Sequence, residues 1–393
     1  MASVGCKLNR PFAEQQFNSA LADRVNYVAL DALRGLLAVY VLAGHARWLL
    51  WAGHATWRSQ AHSTIADSLA YTGAVFRYGH EAVMVFFALS GFFIHQTYSS
   101  ACVNSNTRRF DWYSYGKRRA RRILPPYYFA LLVTVVLDMI GRLTAPELYS
   151  AQTGDGLVDA VFATKVYTPS SVVPALSGIP MSAGYDFGSN GPLWSIGYEI
   201  IYYVCYPLWL AVRKSAGAVV AYIGVPIISL AAADSLLPSY LATVSYHYPL
   251  WLAGAATCEL LARDDFRRKL DLLYAAVLVL LVGIGIAFDM HLFVSLSLSL
   301  VAIRLFSAVP ASSNSFGPLR LFNWLGLRSY SIYVVHFPVL VFISAQIFHY
   351  YGELPLHGWI ALTGGIAALG FGVLCFEICE RKFLRCGRVV RTS

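Results

Sequence analysis

Across 393 residues the sequence is 57% hydrophobic and 15% aromatic, while 13% is charged, about half the charge fraction of an average soluble protein. Apolar runs of about 20 residues recur along it, long enough to cross a bilayer, and a soluble multidomain protein would leave that surface in water. The net charge of +9 lies on one set of loops, which argues against a nucleic-acid face and for an all-α, polytopic transmembrane bundle.

Windows of about 19 residues place ten spans, at 29–51, 74–98, 123–143, 193–212, 217–237, 240–262, 271–288, 291–309, 329–350 and 357–380. Residues 1–26 are polar, with no apolar core before a small-residue cleavage site, so no cleaved signal peptide is expected. Lys and Arg alternate by loop. With the N-terminus inside, most of the 30 basic residues fall on the inner side, the largest group being Arg108, Arg109, Lys117, Arg118, Arg119, Arg121 and Arg122. Both termini are therefore expected in the cytoplasm and residues 144–192 outside. Seven cysteines show no C-x-x-C spacing, so neither a zinc site nor a disulfide scaffold is expected.

The first span, "LDALRGLLAVYVLAGHARWLLW", carries Arg34 and His45. Ionisable groups inside a membrane are costly and suggest a working site. Eleven positions make three turns plus about 20°, so both share one helix face, about 16 Å apart along the axis. The second span, "YGHEAVMVFFALSGFFIHQ", holds Ser90 and Gly91, small enough for another backbone or a ligand to approach closely. His80 and Glu81 are read as an outer interfacial pair or a site. The next span opens "YGKRRARRILPPYY". Arg119 and Arg122 lie on one face at i, i+3, either as a stop-transfer flank touching anionic lipid or as a cytoplasmic anion site of paired guanidiniums.

The fourth span begins "NGPLWSIGYEIIYYVCYP". Ser195 and Glu199 share a face about 9 Å below the outer end, and Glu199 is a proton carrier or a hydrogen-bond anchor. Its depth is comparable to that of His45 reckoned from the opposite membrane face, so the two are expected to meet. His336, in "LGLRSYSIYVVHFPVLVF", sits about 10 Å above the cytoplasmic face, as a neighbour-bonded histidine or a ligand. Glu377 and Glu380, in "CFEICERKFLR", are read as partners of basic residues.

Taken in order, "LDALRGLLAVYVLAGH", "VFFALSGFFI", "RRARRILPPYY", "PLWSIGYEIIYY", "LRSYSIYVVHFPV" and "FEICER" resemble the acyltransferase-3 family of bacterial integral-membrane acyltransferases, over residues 28–385. The resemblance implies about ten helices and transfer of an acyl group, commonly acetyl, from cytoplasmic acyl-CoA to a hydroxyl. The acceptor it implies is a surface glycan, a lipid-linked saccharide or a small molecule, in the bacterial plasma membrane. By motif, Arg34 and His45 match the family's first-helix pair, Arg119 and Arg122 its Arg-x-x-Arg, Glu199 the glutamate of Trp-Ser-x-x-x-Glu, and His336 the histidine of the Ser-Tyr-Ser-x-Tyr segment. Two positions depart: Met84 stands where many members have an acidic residue, and Arg381–Lys382 follow Glu380 where a proline is usual. No appended esterase-like domain is expected after Ser393, so any further acyl relay is expected to need another protein.

On this reading residues 1–28 form a cytoplasmic segment, 29–380 the membrane acyltransferase domain and 381–393 a basic cytoplasmic tail. Acyl-CoA is the donor, held by Arg34, Arg119 and Arg122, and no metal is expected. His45 is the general base, suited to it by an unperturbed pKa of about 6.5. Glu199 orients it as the third member of a triad does, with Ser195 and His336 in support. A proton-coupled transporter of an anionic solute would use the same His45, Glu199 and His336 but would not explain the arginines gathered at one entry, and it favours paired halves that are not found. A haem protein using His45 and His336 is a third alternative.

Overall fold

A computed structural model describes residues 25–52, 73–98, 110–163, 167–262, 291–356 and 358–384, together with 165, 278, 280, 283 and 285. The segments expected at 1–24 and 385–393, and most of the span expected at 271–288, lie outside the described residues. Ten principal helices follow: α1 Tyr27–Leu50, α2 Gly79–Gln96, α3 Trp112–Thr144 and α4 Trp194–Ser215. Then come α5 Gly217–Ser235, α6 Ser239–Ala262, α7 His291–Ser307 and α8 Gly317–Gly326. Last are α9 Ser329–Tyr351 and α10 Trp359–Leu384. The described residues are all-α apart from loops and turns, and every expected span outside 271–288 coincides with a helix. Five of these (α1, α3, α5, α9 and α10) are long and apolar enough to cross a membrane. Between α3 and α4, three short helices (Pro146–Tyr149, Gly156–Phe162 and Pro169–Leu176) build the one long connection.

The helix ends follow their residues. Asn26 caps α1 by accepting the Ala29 amide at 3.1 Å, and its Nδ2 donates to Asn314 and Val309, tying the helix start to the segment after α7. Asp111 caps α3 through the Ser114 amide.

Within the helices, prolines shape the bundle. A proline lacks the N–H that would bond the carbonyl four residues earlier, and in an apolar setting that carbonyl needs another donor. Three are supplied from other helices or from the long connection. Pro207 frees the Tyr203 carbonyl, which accepts from Tyr115 Oη at 3.0 Å. Pro249 frees Ser245, which accepts from Ser229 Oγ at 2.7 Å. Pro338 frees Val334, which accepts from Asn190 Nδ2 at 3.0 Å.

Small residues set the closest crossings, as expected of membrane helices. A Cβ on Gly91 would collide with the Trp251 carbonyl and one on Gly254 with the Ala88 carbonyl, so α2 and α6 meet backbone to backbone. Gly35 and Gly326 do the same for α1 and α8. The neighbour expected at Gly91 is thus α6. Helix α9 lies at the centre: 78% of its apolar window is buried, against 6% for α5. It packs on α1, α3 and α10.

The long connection is docked by polar contacts. Asp138 of α3 accepts from Tyr167 Oη and the Ser189 amide, both at 2.8 Å, and Lys165 pairs with Asp186 under cover. Gly188 sits at φ +53°, and any Cβ there would strike Tyr167 and Asp138, so only glycine lets the chain pass. Burial raises the Tyr167 phenol above its usual range, with Asp138 adding to the effect, which keeps it a donor to that carboxylate.

Candidate active site

Helices α1, α2, α3, α4 and α9 enclose a cavity of about 730 Å³, part of it open to solvent. Arg34, Arg119, Arg122, Ser195 and Glu199 all line it, with Ser90, Tyr203, Ser329, Tyr330 and Tyr333. Five residues singled out along separate helices therefore face one space. Arg34 reaches Asp31 at 3.3 Å, one turn earlier on α1. Arg119 lies over the rings of Tyr115 and Tyr203, its Nε buried without an acceptor. Arg122 makes no hydrogen bond or ion pair among the described residues, and its electrostatic neighbours are Tyr203, Glu380, Glu199 and Asp31. The buried Ser329 hydroxyl, at the first residue of α9, also has no partner. Guanidinium donors without acceptors, in a cavity, are what an anionic ligand would use.

His45 and His336 lie outside this lining. Their rings stack with centroids 5.0 Å apart, and His45 Nδ1 sits 2.7 Å from His336 Nε2. His336 Nδ1 lies 2.6 Å from the Tyr333 carbonyl. A carbonyl only accepts, so the bonding pattern assigns the proton to His336 Nδ1 and leaves its Nε2 as an acceptor. His45 Nδ1 must then carry a hydrogen and donate it. What remains is His45 Nε2, an imidazole lone pair fixed in direction by two hydrogen bonds behind it. Phe337 packs edge-on against the His45 ring at 4.9 Å.

The two regions meet at Tyr333. Its ring lines the cavity, its carbonyl holds His336, and its hydroxyl lies 2.8 Å from Ser195 Oγ and donates to the Pro192 carbonyl at 3.2 Å. Phe86 stands beside it, ring centroids 6.3 Å apart.

The expected meeting of Glu199 with His45 is not what the structure shows. Glu199 Oε1 accepts from Ser90 Oγ at 2.8 Å and from the Tyr203 hydroxyl, and the imidazole's partner is His336. Equal depth fixes height in the membrane but not direction around the bundle. Glu199 turns into the cavity toward α2, and His45 turns toward α9. His80 stacks on Trp194 at 5.8 Å, and Glu81 reaches His291 at 4.0 Å. Glu377 pairs with Arg328 and Arg381, as read from the sequence. Glu380 instead accepts from Ser331 Oγ at 2.6 Å, on a π-helical turn Phe376–Glu380. Met84 is fully buried. Ser90 reads in the sequence only as a small residue, and the sequence reading assigns no role to Tyr203 or Tyr333. Their one-turn spacing from Glu199 and His336 was the available signal for the last two.

Comparison with known proteins bears on this arrangement. Residues 27–376 match a family model described as "Acyltransferase domain". The chain is 28% identical over 294 residues to "Putative peptidoglycan O-acetyltransferase YrhL" of Bacillus subtilis (strain 168), covering 67% of this chain and 44% of that one. It is 27% identical over 216 residues to "Acyltransferase MdmB" of Streptomyces mycarofaciens, covering 52% of this chain and 47% of that one. The chain thus spans less than half the length of these relatives. No solved structure matches.

Proposed function

This chain belongs to that acyltransferase family and is a membrane acyltransferase, and we propose that it moves an acetyl group from cytoplasmic acetyl-CoA to a hydroxyl of a surface glycan or lipid-linked saccharide. The relative named as a peptidoglycan O-acetyltransferase supports a glycan acceptor. The observation that carries the reading is the cavity that gathers Arg34, Arg119 and Arg122, with Arg119 Nε buried and unpaired. CoA is polyanionic, and forked guanidiniums suit its phosphates. On this proposal residues 29–380 act as the membrane domain of a bacterial plasma-membrane protein with ten spans. Residues 1–28 and 381–393 lie on the donor's side, with 144–192 opposite.

His45 Nε2 takes the proton of the acceptor hydroxyl. The oxygen attacks the acyl carbonyl carbon, the bond to the leaving group breaks, and the leaving group takes the proton from His45. His336 holds the imidazole in the tautomer that leaves Nε2 basic, the service a carboxylate gives in a serine triad. Ser195 supports Tyr333, and through it His336. Glu199 serves the cavity and not the imidazole.

General-base catalysis contributes about 10²–10⁴-fold. Both His45→Ala and His45→Gln should lose transfer by that order while still binding acetyl-CoA in detergent. Near-normal transfer by His45→Gln would reject the role. Proton-dependent solute uptake by vesicles holding the chain, without acyl transfer, would favour the transporter instead.

A further inference from the structure

Most hydroxyls in these helices are spent on structural contacts, such as Ser331 on Glu380 and Ser344 on the Leu49 carbonyl, neither of which lines the cavity. Thr134, Thr257 and Ser299 donate to the carbonyl one turn back on their own helix, at 2.6–2.8 Å, the usual solution for a serine or threonine in an apolar helix. Ser90 does not. Its Oγ leaves α2, faces the cavity and donates to Glu199 Oε1 on α4 at 2.8 Å. Glu199 is itself held by the Tyr203 hydroxyl, one turn along α4. Trp251 Nε1 approaches the Ser90 oxygen at 3.4 Å from the other side. A hydroxyl within reach of a base, with the base oriented by a third group, is the arrangement of an activated nucleophile.

The backbone beneath it is held in place. Gly91, the next residue, presses on the Trp251 carbonyl, and Gly254 presses on Ala88. Ser90 is thus fixed against α6 by contacts that admit no side chain. The cavity it faces also holds Arg34 and Arg122, cations able to stabilise an oxyanion.

We propose that Ser90 is a transient acyl carrier, with Glu199 as its base. The inference rests on the acyl-CoA reading above. In the first step Ser90 Oγ bonds to the thioester carbon as its proton passes to Glu199. The carbon–sulfur bond breaks, and the departing thiolate takes that proton as free CoA. In the second step the acceptor oxygen attacks the Ser90 ester, the Ser90 oxygen leaves, and the acceptor's proton, received by His45, replaces the one Ser90 lost. No oxidant, reductant or net proton is required.

The test uses the full chain in detergent with radiolabelled acetyl-CoA and no acceptor, quenched in acid. About one acetyl group per chain should remain bound, map to Ser90 by peptide mass spectrometry and be released by hydroxylamine. Ser90→Ala should lose the label while keeping acetyl-CoA binding. Ser90→Cys should regain it as a thioester, which a structural hydroxyl would not do. Glu199→Gln should slow label uptake by about 10²-fold or more. Acetyl-CoA binding without label in the wild-type chain, or label persisting in Ser90→Ala, overturns the carrier and leaves the donor reading standing. Absence of acetyl-CoA binding overturns the donor reading itself, and the carrier with it.

Discussion

Two clusters of buried charge share helices α2 and α4, and each joins arginine, glutamate and tyrosine, yet they are opposites. In the first, Glu259 of α6 accepts from Arg213 of α4 through Nε at 3.0 Å and Nη2 at 2.7 Å. It also accepts from Tyr222 Oη at 2.9 Å and faces His95 Nε2 of α2 at 2.9 Å. The other nitrogen of His95 meets Tyr206 Oη at 3.1 Å. In the second cluster, the cavity, Arg119 Nε and Ser329 Oγ are buried without partners, and Arg122 has none among the described residues. Burial of charge is common to both. Of these two clusters only the cavity leaves donors unused, as Arg47 Nε and Arg328 Nε are left elsewhere, and in a cavity an anionic ligand can supply the acceptor.

The comparison can be broken first at the satisfied cluster. Removing one partner of a buried, hydrogen-bonded ion pair leaves the other charge stranded, at about 3–5 kcal/mol. Glu259→Ala and Arg213→Ala should therefore lower stability by that amount in a thermal or denaturant assay in detergent. The double replacement should cost less than the sum, since neither charge is then left alone. Stability within about 1 kcal/mol of wild type for either single variant would show that this cluster is not the lock it resembles.

The open cluster should respond in the other currency. Arg119→Ala or Arg122→Ala removes a charge-assisted contact to the donor, about 1.5–3 kcal/mol of affinity, or roughly 10- to 150-fold in the dissociation constant measured by titration with CoA. Stability should hold, because no protein acceptor is stranded. Lysine should rescue poorly, having no planar fork. Unchanged CoA affinity in Arg119→Lys and Arg122→Lys, together with lost stability in the alanine variants, would turn the cavity into a second structural cluster.

Much of this was legible along the chain, because it depends on one helix at a time. Apolar length located a helix at each place where a span was expected within the described residues, residue type marked Arg34, His45, Arg119, Arg122, Glu199 and His336, and the pair Ser90–Gly91 foretold a close crossing. What joins helices was not legible. The spacing of Arg34 and His45 shows that they share a face of α1, but not that α9 brings His336 to one and α3 brings Arg122 near the other. The pairing of Glu259 with His95 is not visible in the sequence, since a carboxylate and an imidazole on separate helices carry no sign of each other. Arg213, a basic residue at the end of α4, carries no sign of Glu259 for the same reason. The carbonyls freed by Pro207, Pro249 and Pro338 could be foreseen from the prolines, but the donors Tyr115, Ser229 and Asn190 could not.

The smallest effect belongs to an exposed ion pair, which serves as the control for the two clusters. His349 Nδ1 lies 3.1 Å from Glu147 Oε1, a distance indistinguishable from that between His95 and Glu259. Both side chains are more than a third exposed, however, and in water the attraction is screened and opposed by the entropy of holding two side chains in one geometry. Glu147→Gln and His349→Gln should leave the thermal midpoint unchanged within error at neutral pH, and added salt should not separate them from wild type. A pH scan sharpens the point. The backbone amide of Glu147 itself, and then His349, hold this carboxyl below the usual glutamate range. A depressed carboxylate contributes stability that is present above its unfolded pKa of about 4.3 and lost as pH falls through the lower folded value. The wild type and Glu147→Gln should thus behave alike from neutral pH down to about 5, and any difference should shrink below that. A large loss of stability in Glu147→Gln at neutral pH would mean that contact distance, not burial and pairing, decides what a charge does in this fold, and the contrast between the two inner clusters would lose its physical basis.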